Sequence, residues 1–295
     1  LELPEDLEGP ALLERLPEAL AQAFAGLPRP VQALLAYLLG ETATLDYLQW
    51  PVFTPDDHKA PLAALDKLVP RVAAGKRAEA EVTGESLPEL TKALFSPGGA
   101  VADCHPEYEE RPAQIAMAVA VAETFRDTGL LMVEAGTGVG KSLAYLAPAI
   151  LWAREHGQPV LVSTHTRNLQ DQLLAQELPL LRQALPVSFR AALLKGRRNY
   201  PCLRTLSWLI TEAAQSLFWS ERMAAAFLVA WLARSPDGDL ETIAPEALEN
   251  LDALPTLVQR VRSQGDGCAG GACPCRPSCR VEQARAHARA ADLIV

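Results

Sequence analysis

Apolar residues recur along this chain with two periods, and the period changes where the elements change. Helical spacing, with apolar residues three and four apart, runs through Ala11–Leu27, Val31–Leu39 and Leu62–Val72, and prolines at 17, 28, 30, 51, 55, 61 and 70 cut the region into short helices. Ser96-Pro97-Gly98-Gly99 reads as a turn and a boundary. Beyond it, short apolar runs alternate with helical ones. Leu130–Glu134 reads as a short buried strand and Ser142–Arg154 as a helix kinked at Pro148 and closed by Gly157. Val160–Ser163 reads as a second strand, Leu169–Leu181 as a helix and Ser188–Leu194 as a third strand. The alternation implies an α/β domain with a parallel sheet and right-handed crossovers. It breaks after Leu194. Helical spacing in Leu203–Ala214 and Met223–Ala233, an acidic loop at Asp237–Glu241, a Gly/Pro-rich segment and a basic helix at Arg280–Ala290 precede Asp292–Val295, which reads as a strand resuming the sheet. The expected organisation is therefore 1–95 helical accessory region, 96–195 first part of the α/β domain, 196–290 insertion and 291–295 returning strand.

The junction between the first strand and its helix carries the clearest chemistry. Gly136, Gly138 and Gly140, with Thr137 and Val139 between them, form a flexible loop, and Lys141 and Ser142 open the helix. Strand, glycine-rich loop and helix start describe a P-loop. Glycines let backbone N–H groups wrap a polyphosphate without Cβ clashes, and the helix N-terminus adds partial positive charge. Lys141 would reach the β- and γ-phosphates, and Ser142 Oγ would ligate Mg²⁺. The strict pattern asks for Gly where this chain has Ala135. Sixteen residues before Leu130, Gln114 follows Arg111 and Pro112 at the start of an apolar helix. A glutamine amide donates to one ring nitrogen of adenine while accepting from its exocyclic amine, so Gln114 reads as the base contact beside the phosphate cradle.

Two further clusters stand out. Thr164-His165-Thr166-Arg167-Asn168 follows the second strand, where open α/β sheets bind ligands. Its hydroxyl, amide and basic groups suit a nucleic-acid phosphate, and equally an ordinary polar helix cap. Cys268, Cys273, Cys275 and Cys279 crowd into twelve residues, while Cys202 stands sixty-six residues earlier. In a reducing compartment such crowding points to a metal rather than to disulfides. Zinc favours two close Cys pairs, whereas one distant and three clustered thiols suit an iron–sulfur cubane. Cys275 is a fifth thiol that could replace Cys273 as ligand or be a bystander. His58 beside Asp56 and Asp57 reads as a solvated loop.

Composition narrows the classes. At 295 residues, 49% hydrophobic and 21% charged, the chain buries a sizeable core and has room for two domains. A net charge of −9 excludes grip on nucleic acid by bulk charge, so any contact is a local patch. Arg197, Arg198, Arg204, Arg276, Arg280, Arg285 and Arg289 flank the cysteines and are candidates for it. No apolar run is long enough for a bilayer span and no signal pattern opens the chain, which reads as cytoplasmic. Leu1 and the apolar run ending at Val295 suggest a fragment.

Taken together, Glu134–Ser142, Tyr108…Arg111…Gln114, Ser163–Gln172, Lys195–Cys202, the later cysteines and Ala291–Val295 resemble an iron–sulfur superfamily 2 DNA helicase of the DinG/XPD type, on the bacterial DinG side. The resemblance covers about 96 to 295. It implies a RecA-like P-loop NTPase domain with an inserted, mainly helical iron–sulfur domain. It implies a nucleotide site of Arg111, Gln114 and Ala135–Ser142, with Lys141 and Ser142 catalytic, ATP and Mg²⁺ as cofactors, and a [4Fe–4S] cluster on Cys202, Cys268, Cys273 and Cys279. It tips Thr164, Thr166, Arg167, Asn168 and Gln170 towards single-stranded DNA. The implied activity is five-prime to three-prime unwinding of duplexes and junctions in DNA repair or replication, by a monomer. Family members carry a DEAH box on a strand after the insertion, so residues 1–295 alone are expected to bind ATP with negligible turnover. The competing readings are a P-loop ATPase with a structural zinc module and a non-catalytic nucleic-acid scaffold.

Overall fold

The computed structural model describes residues 86–104, 109–211 and 217–295, together with Leu27, Val31, Leu35 and Leu38. The helices expected at Ala11–Leu27 and Leu62–Val72, the His58 loop and Tyr108 lie outside the described residues apart from Leu27. The described residues fall into two compact units. One contains Lys195–Gln283 with the four isolated leucine and valine positions. The other runs up to Leu194 and resumes at Ala284–Val295.

The second unit is built on helices around a three-stranded sheet. Its elements are α1 (Leu87–Phe95), α2 (Ala100–Cys104), α3 (Pro112–Asp127), α4 (Lys141–His156), β1 (Val160–Leu161), α5 (Arg167–Gln172), α6 (Leu178–Ala184), β2 (Ala191–Ala192) and β3 (Leu293–Ile294). The strand order is β1-β3-β2 and both pairings are parallel. Leu293 lies level with Val160 on one side and Ala191 on the other. The last strand in sequence is thus the middle strand in space. The ladder continues past the short strands: Val162 N–H donates to the Ile294 carbonyl at 2.8 Å and Val295 N–H to that of Ala192 at 2.9 Å.

Helix α4 is buried around most of its circumference, from Leu143 through Ala153. Its middle, Leu143–Leu151, is small or aliphatic except for Tyr145, which suits a helix buried on most of its faces. It runs as one helix through Pro148 and ends at Gly157 in the left-handed conformation, φ 63°. Phe95, Ala118, Ala122, Leu146, Ile150, Leu173, Leu181 and Leu293 close the core around it. At its far end Arg154 Nη1 meets Asp292 Oδ1 at 3.3 Å, both side chains buried, and Asp292 Oδ2 accepts from Arg190 N–H at 2.8 Å. One carboxylate so joins the helix to the entry of two strands.

Two expectations change. Leu130–Glu134 is not a buried strand. Leu130 is 93% and Met132 90% exposed, and the segment lies outside the sheet. An apolar run becomes a strand only where a neighbour supplies ladder hydrogen bonds, and none of the described strands runs beside it. The helix expected at Leu169–Leu181 starts earlier, at Arg167, and is interrupted by a π-helical turn at Leu173–Glu177 before α6.

The first unit holds α7 (Leu203–Thr211), α8 (Trp219–Arg234), α9 (Pro245–Asn250), α10 (Leu254–Val261) and the start of α11 (Arg280–Ala290), which passes from one unit to the other. Leu206, Leu209, Leu228, Leu232, Leu254 and Val261 form its core, and Val31, Leu35 and Leu38 join them at 0–1% exposure. Those three sit at helical positions one and two turns apart, so part of the N-terminal region packs into this unit.

Candidate functional site

The glycine-rich loop is held from below by the start of α3. Arg111 Nη1 donates to the Gly138 carbonyl at 2.8 Å, and Gln114 Nε2 donates to the Gly140 carbonyl at 2.9 Å. Gln114 is 3% exposed, and one N–H of its amide is engaged at the base of the loop. Gly138 and Gly140 have φ of 81° and 80°, a region that L-residues with a Cβ avoid. Space makes the same demand at Gly140, where a Cβ would lie 2.2 Å from Gln114 Nε2. Gly140 is also the N-cap of α4. Lys141 folds back over the loop, its ammonium donating to the carbonyls of Ala135 at 2.8 Å and Gly136 at 2.6 Å. Ser142 lies beside Tyr145, whose phenol is pushed up by burial and partly relieved by its hydrogen bond with Ser142. The structure thus gathers Arg111, Gln114 and Ala135–Ser142 into one place. The struts from Arg111 and Gln114 and the Tyr145 contact are absent from the sequence reading. Only the spacing of Arg111 and Gln114 hinted at the first.

The polar cluster after β1 belongs to the same unit. Thr166 is the N-cap of α5, its hydroxyl accepting from Leu169 N–H at 3.4 Å, and Thr164 Oγ1 reaches the Thr166 carbonyl at 3.5 Å. Thr166, Arg167 and Asn168 are exposed, while Thr164 and Gln170 are half-buried. The cap therefore occupies one hydroxyl and leaves a polar surface at a strand's carboxyl end.

In the other unit the cysteines converge. A short antiparallel bridge does the first part: Cys202 N–H donates to the Val261 carbonyl at 2.6 Å and Ser263 N–H to that of Tyr200 at 2.9 Å. Arginines bind the same two segments. Arg262 donates to the Arg198 carbonyl at 2.6 Å, Arg197 to Gln264 at 3.3 Å, and Arg204 to Gly267. These links span 63 to 67 positions of sequence and bring Cys202 to the segment that carries the others. Tight turns then set the spacing. Cys268, Cys273 and Cys279 each donate their N–H three residues back, to Gly265, Gly270 and Arg276.

All five thiols line one cavity of about 50 Å³, with Arg197, Arg204 and Arg276 around them. The cysteines are free thiols. Among the described residues, no three His, Cys, Asp or Glu side chains are set closely enough to hold a single metal ion. Cys268 is the exposed member, and the Gly270 N–H, followed by Arg197, lowers its pKa. Burial pushes the Cys279 thiol up. Cys275 is 6% exposed and packs into the apolar core while reaching the same cavity, so both Cys273 and Cys275 are present at the site.

Two charged groups differ from their sequence reading. Arg280, expected in a surface basic patch, is 1% exposed. Its guanidinium donates to the carbonyls of Pro236 at 2.9 Å, Ser235 at 3.0 Å and Leu232 at 3.3 Å. The acidic loop is partly internal: Lys195 Nζ meets Asp239 at 2.5 Å and Glu241 at 3.4 Å, with all three side chains largely buried. Despite burial, which lowers it, the Lys195 pKa ends up raised by these carboxylates.

No protein-family model matches the chain. Curated proteins do. An ATP-dependent DNA helicase YoaA of Escherichia coli (strain K12) is 38% identical over 201 residues, covering 68% of this chain and 30% of that protein. An ATP-dependent helicase DinG of Mycobacterium tuberculosis is 38% identical over 202 residues, covering 63% and 30%. A 3'-5' exonuclease DinG of Bacillus subtilis is 33% identical over 141 residues, covering 48% and 15%. Two of these three are named helicases and one an exonuclease, and the chain spans about 30% of the length of its helicase relatives. The chain belongs to the DinG-type helicase family.

Proposed function

We propose that this chain carries the nucleotide-binding part and the cysteine-bearing insertion of an ATP-dependent DNA helicase that moves five-prime to three-prime. The observation that carries the reading is the glycine loop braced by Arg111 and Gln114, with Lys141 over its mouth. The Lys141 ammonium rests on two loop carbonyls, and the γ-phosphate of ATP would be a stronger, charged acceptor for it. Gly136, Thr137, Gly138 and Val139 offer backbone N–H groups to the polyphosphate, and Ser142 Oγ would hold Mg²⁺. Gln114 has a second N–H and an oxygen for the adenine edge while its first N–H holds the loop, which links base recognition to the shape of the cradle.

The thiol cavity supports a [4Fe–4S] cluster on Cys202, Cys268, Cys273 and Cys279. The donor set fits: free thiols surround one shared space, and guanidinium groups offset the negative charge that four thiolates bring. When bound, the cluster supplies a redox-active centre that ties distant segments together. Thr164, Thr166, Arg167, Asn168 and Gln170 would contact the single-stranded DNA backbone, and DNA junctions in repair or replication are the proposed substrates. The protein would act as a cytoplasmic monomer. Among the described residues no helix is long and apolar enough to cross a membrane.

The test is ATP hydrolysis by the full-length protein with and without single-stranded DNA, beside Lys141→Ala, with iron and acid-labile sulfide measured on the same anaerobic preparation. DNA-stimulated turnover that Lys141→Ala abolishes, with iron and sulfide present, supports the reading. Turnover unaffected by Lys141→Ala overturns the nucleotide site, and zinc without sulfide overturns the cluster.

A further inference from the structure

Arg280 is the largest fully buried side chain of the described residues, and its burial removes it from the basic surface patch and from any nucleotide or DNA contact proposed above. Its three hydrogen bonds all go to the C-terminal end of α8. Helix ends leave carbonyl oxygens without intrahelical partners, and cations there meet the negative end of the helix dipole. Arg280 fills both needs from 45 positions away in sequence. The fit is close, for a Cβ placed on Gly238 would lie 2.9 Å from Arg280 Cγ and Nε. Gly238, at φ 72°, turns the chain so that the guanidinium can pass. The Asp237 carboxylate adds electrostatic support to a cation that burial disfavours.

The residue before Arg280 is Cys279. Adjacent Cα atoms are about 3.8 Å apart, so a guanidinium fixed at three oxygens leaves the neighbouring Cα little freedom. Cys279 also ends the Arg276–Ser278 turn, and its carbonyl accepts from Gln283 N–H in the first turn of α11. The remaining thiols are held by other means: Cys202 by the bridge to Val261, Cys268 through the segment that Arg197 and Arg204 grip, Cys273 by its turn to Gly270 and Cys275 by packing in the apolar core. Cys279 alone stands next to a side chain anchored on α8.

We propose that Arg280 is a positioning residue for the metal centre: by capping the C-terminus of α8 it sets the distance of the Cys279 thiol from the other thiols across the cavity. The inference rests on the reading of the cavity as a [4Fe–4S] site. Arg280 touches neither cluster nor substrate, and its action runs through the backbone of Cys279. Lysine at 280 keeps the charge but presents one donor group where the planar guanidinium reaches three carbonyls. Gly238→Ala keeps Arg280 and displaces it.

The experiment uses the full-length protein purified without oxygen, as wild type, Arg280→Lys and Gly238→Ala. Three quantities are read: iron and sulfide per chain, the rate of iron loss to EDTA, and the electron paramagnetic resonance of the reduced protein. Mutations of groups that orient metal ligands cost about 10- to 100-fold in metal affinity, so both variants should lose iron at least about tenfold faster, with shifted resonance lines. The thermal midpoint of the metal-free protein shows whether either variant simply unfolds. Wild type without iron and sulfide sinks the cluster reading and this inference with it. A wild type that holds the cluster, beside variants with the same loss rate and spectrum, sinks the inference alone. Faster loss confined to a variant whose metal-free form has unfolded, with an unchanged spectrum in the other, also refutes positioning.

Discussion

Replacing Gly140 with alanine tests whether the loop and Gln114 work as one unit. The substitution does two separable things. Gly140 sits at φ 80°, and a left-handed conformation costs an L-residue about 1–2 kcal/mol. The new methyl also lands 2.2 Å from Gln114 Nε2 and must push aside the amide that holds the Gly140 carbonyl at 2.9 Å. Losing that hydrogen bond adds about 1 kcal/mol. Together they amount to about 2–3 kcal/mol against the braced loop; where the free loop relaxes to escape that cost and nucleotide must restore the braced form, this becomes about 30- to 150-fold in nucleotide affinity at 1.4 kcal/mol per factor of ten. The backbone part persists whatever residue stands at 114, whereas the collision vanishes when Gln114 is shortened. In a Gln114→Ala background Gly140→Ala should therefore cost about 1 kcal/mol less, close to fivefold in affinity. The assay is titration of a fluorescent ATP analogue against the four proteins of the cycle, with thermal melts to confirm that each stays folded. Strict additivity of the two substitutions, within about 0.3 kcal/mol, would refute the reasoning, because the two groups would then not meet in the binding state.

Other perturbations follow from the buried charges. Asp292→Ala leaves Arg154 without its carboxylate in the interior and should cost about 3–5 kcal/mol in urea denaturation of the second unit; Asp292→Asn, which keeps an acceptor for Arg190 N–H, should cost less. The raised pKa values of Lys195 and Tyr200 mean that the folded state holds those protons longer than the unfolded chain does. Their contribution is complete below the ordinary tyrosine and lysine values and is lost as pH rises through the folded ones. Denaturation midpoints of the first unit should thus fall above about pH 10, and Lys195→Met should flatten that limb. In metal-free protein, Cys268 should react with iodoacetamide faster than Cys279, because it is exposed and its thiolate is favoured by Gly270 N–H and Arg197. Peptide mapping checks the order, and Arg197→Ala should narrow the difference.

The parts of the fold that depend on nearby residues were legible in the sequence. Gly157 ends α4 because no residue with a Cβ takes φ 63° as readily, and the small-residue face of α4 announces a buried helix. Leu130–Glu134 failed for a stated reason: an apolar run records hydrophobicity, not the presence of a ladder partner. The cysteines were legible as a cluster, but what closes the gap between Cys202 and Cys268 is a set of arginine-to-carbonyl bonds, and backbone carbonyls leave no mark in a sequence. Arg280 shows the same blindness. It looks like one more arginine on a basic helix, and only the end of α8, distant in sequence, makes it a buried cap. In the glycine loop the motif residues were evident, whereas the braces from Arg111 and Gln114 depend on where α3 lies beneath it.

The central place of β3 bears on how the chain assembles. The Arg154–Asp292 pair spans 138 positions and the Arg190–Asp292 contact 102. In this sheet β1 and β2 do not pair with each other, so both wait for a strand that follows the whole cysteine-bearing unit in the chain. Contacts of such separation slow folding, since loop-closure entropy is lost before the contacts form. A cysteine unit that compacts first shortens the effective loop. The order of biogenesis would then be insertion first and sheet second, and the speed of the second would depend on the completeness of the first.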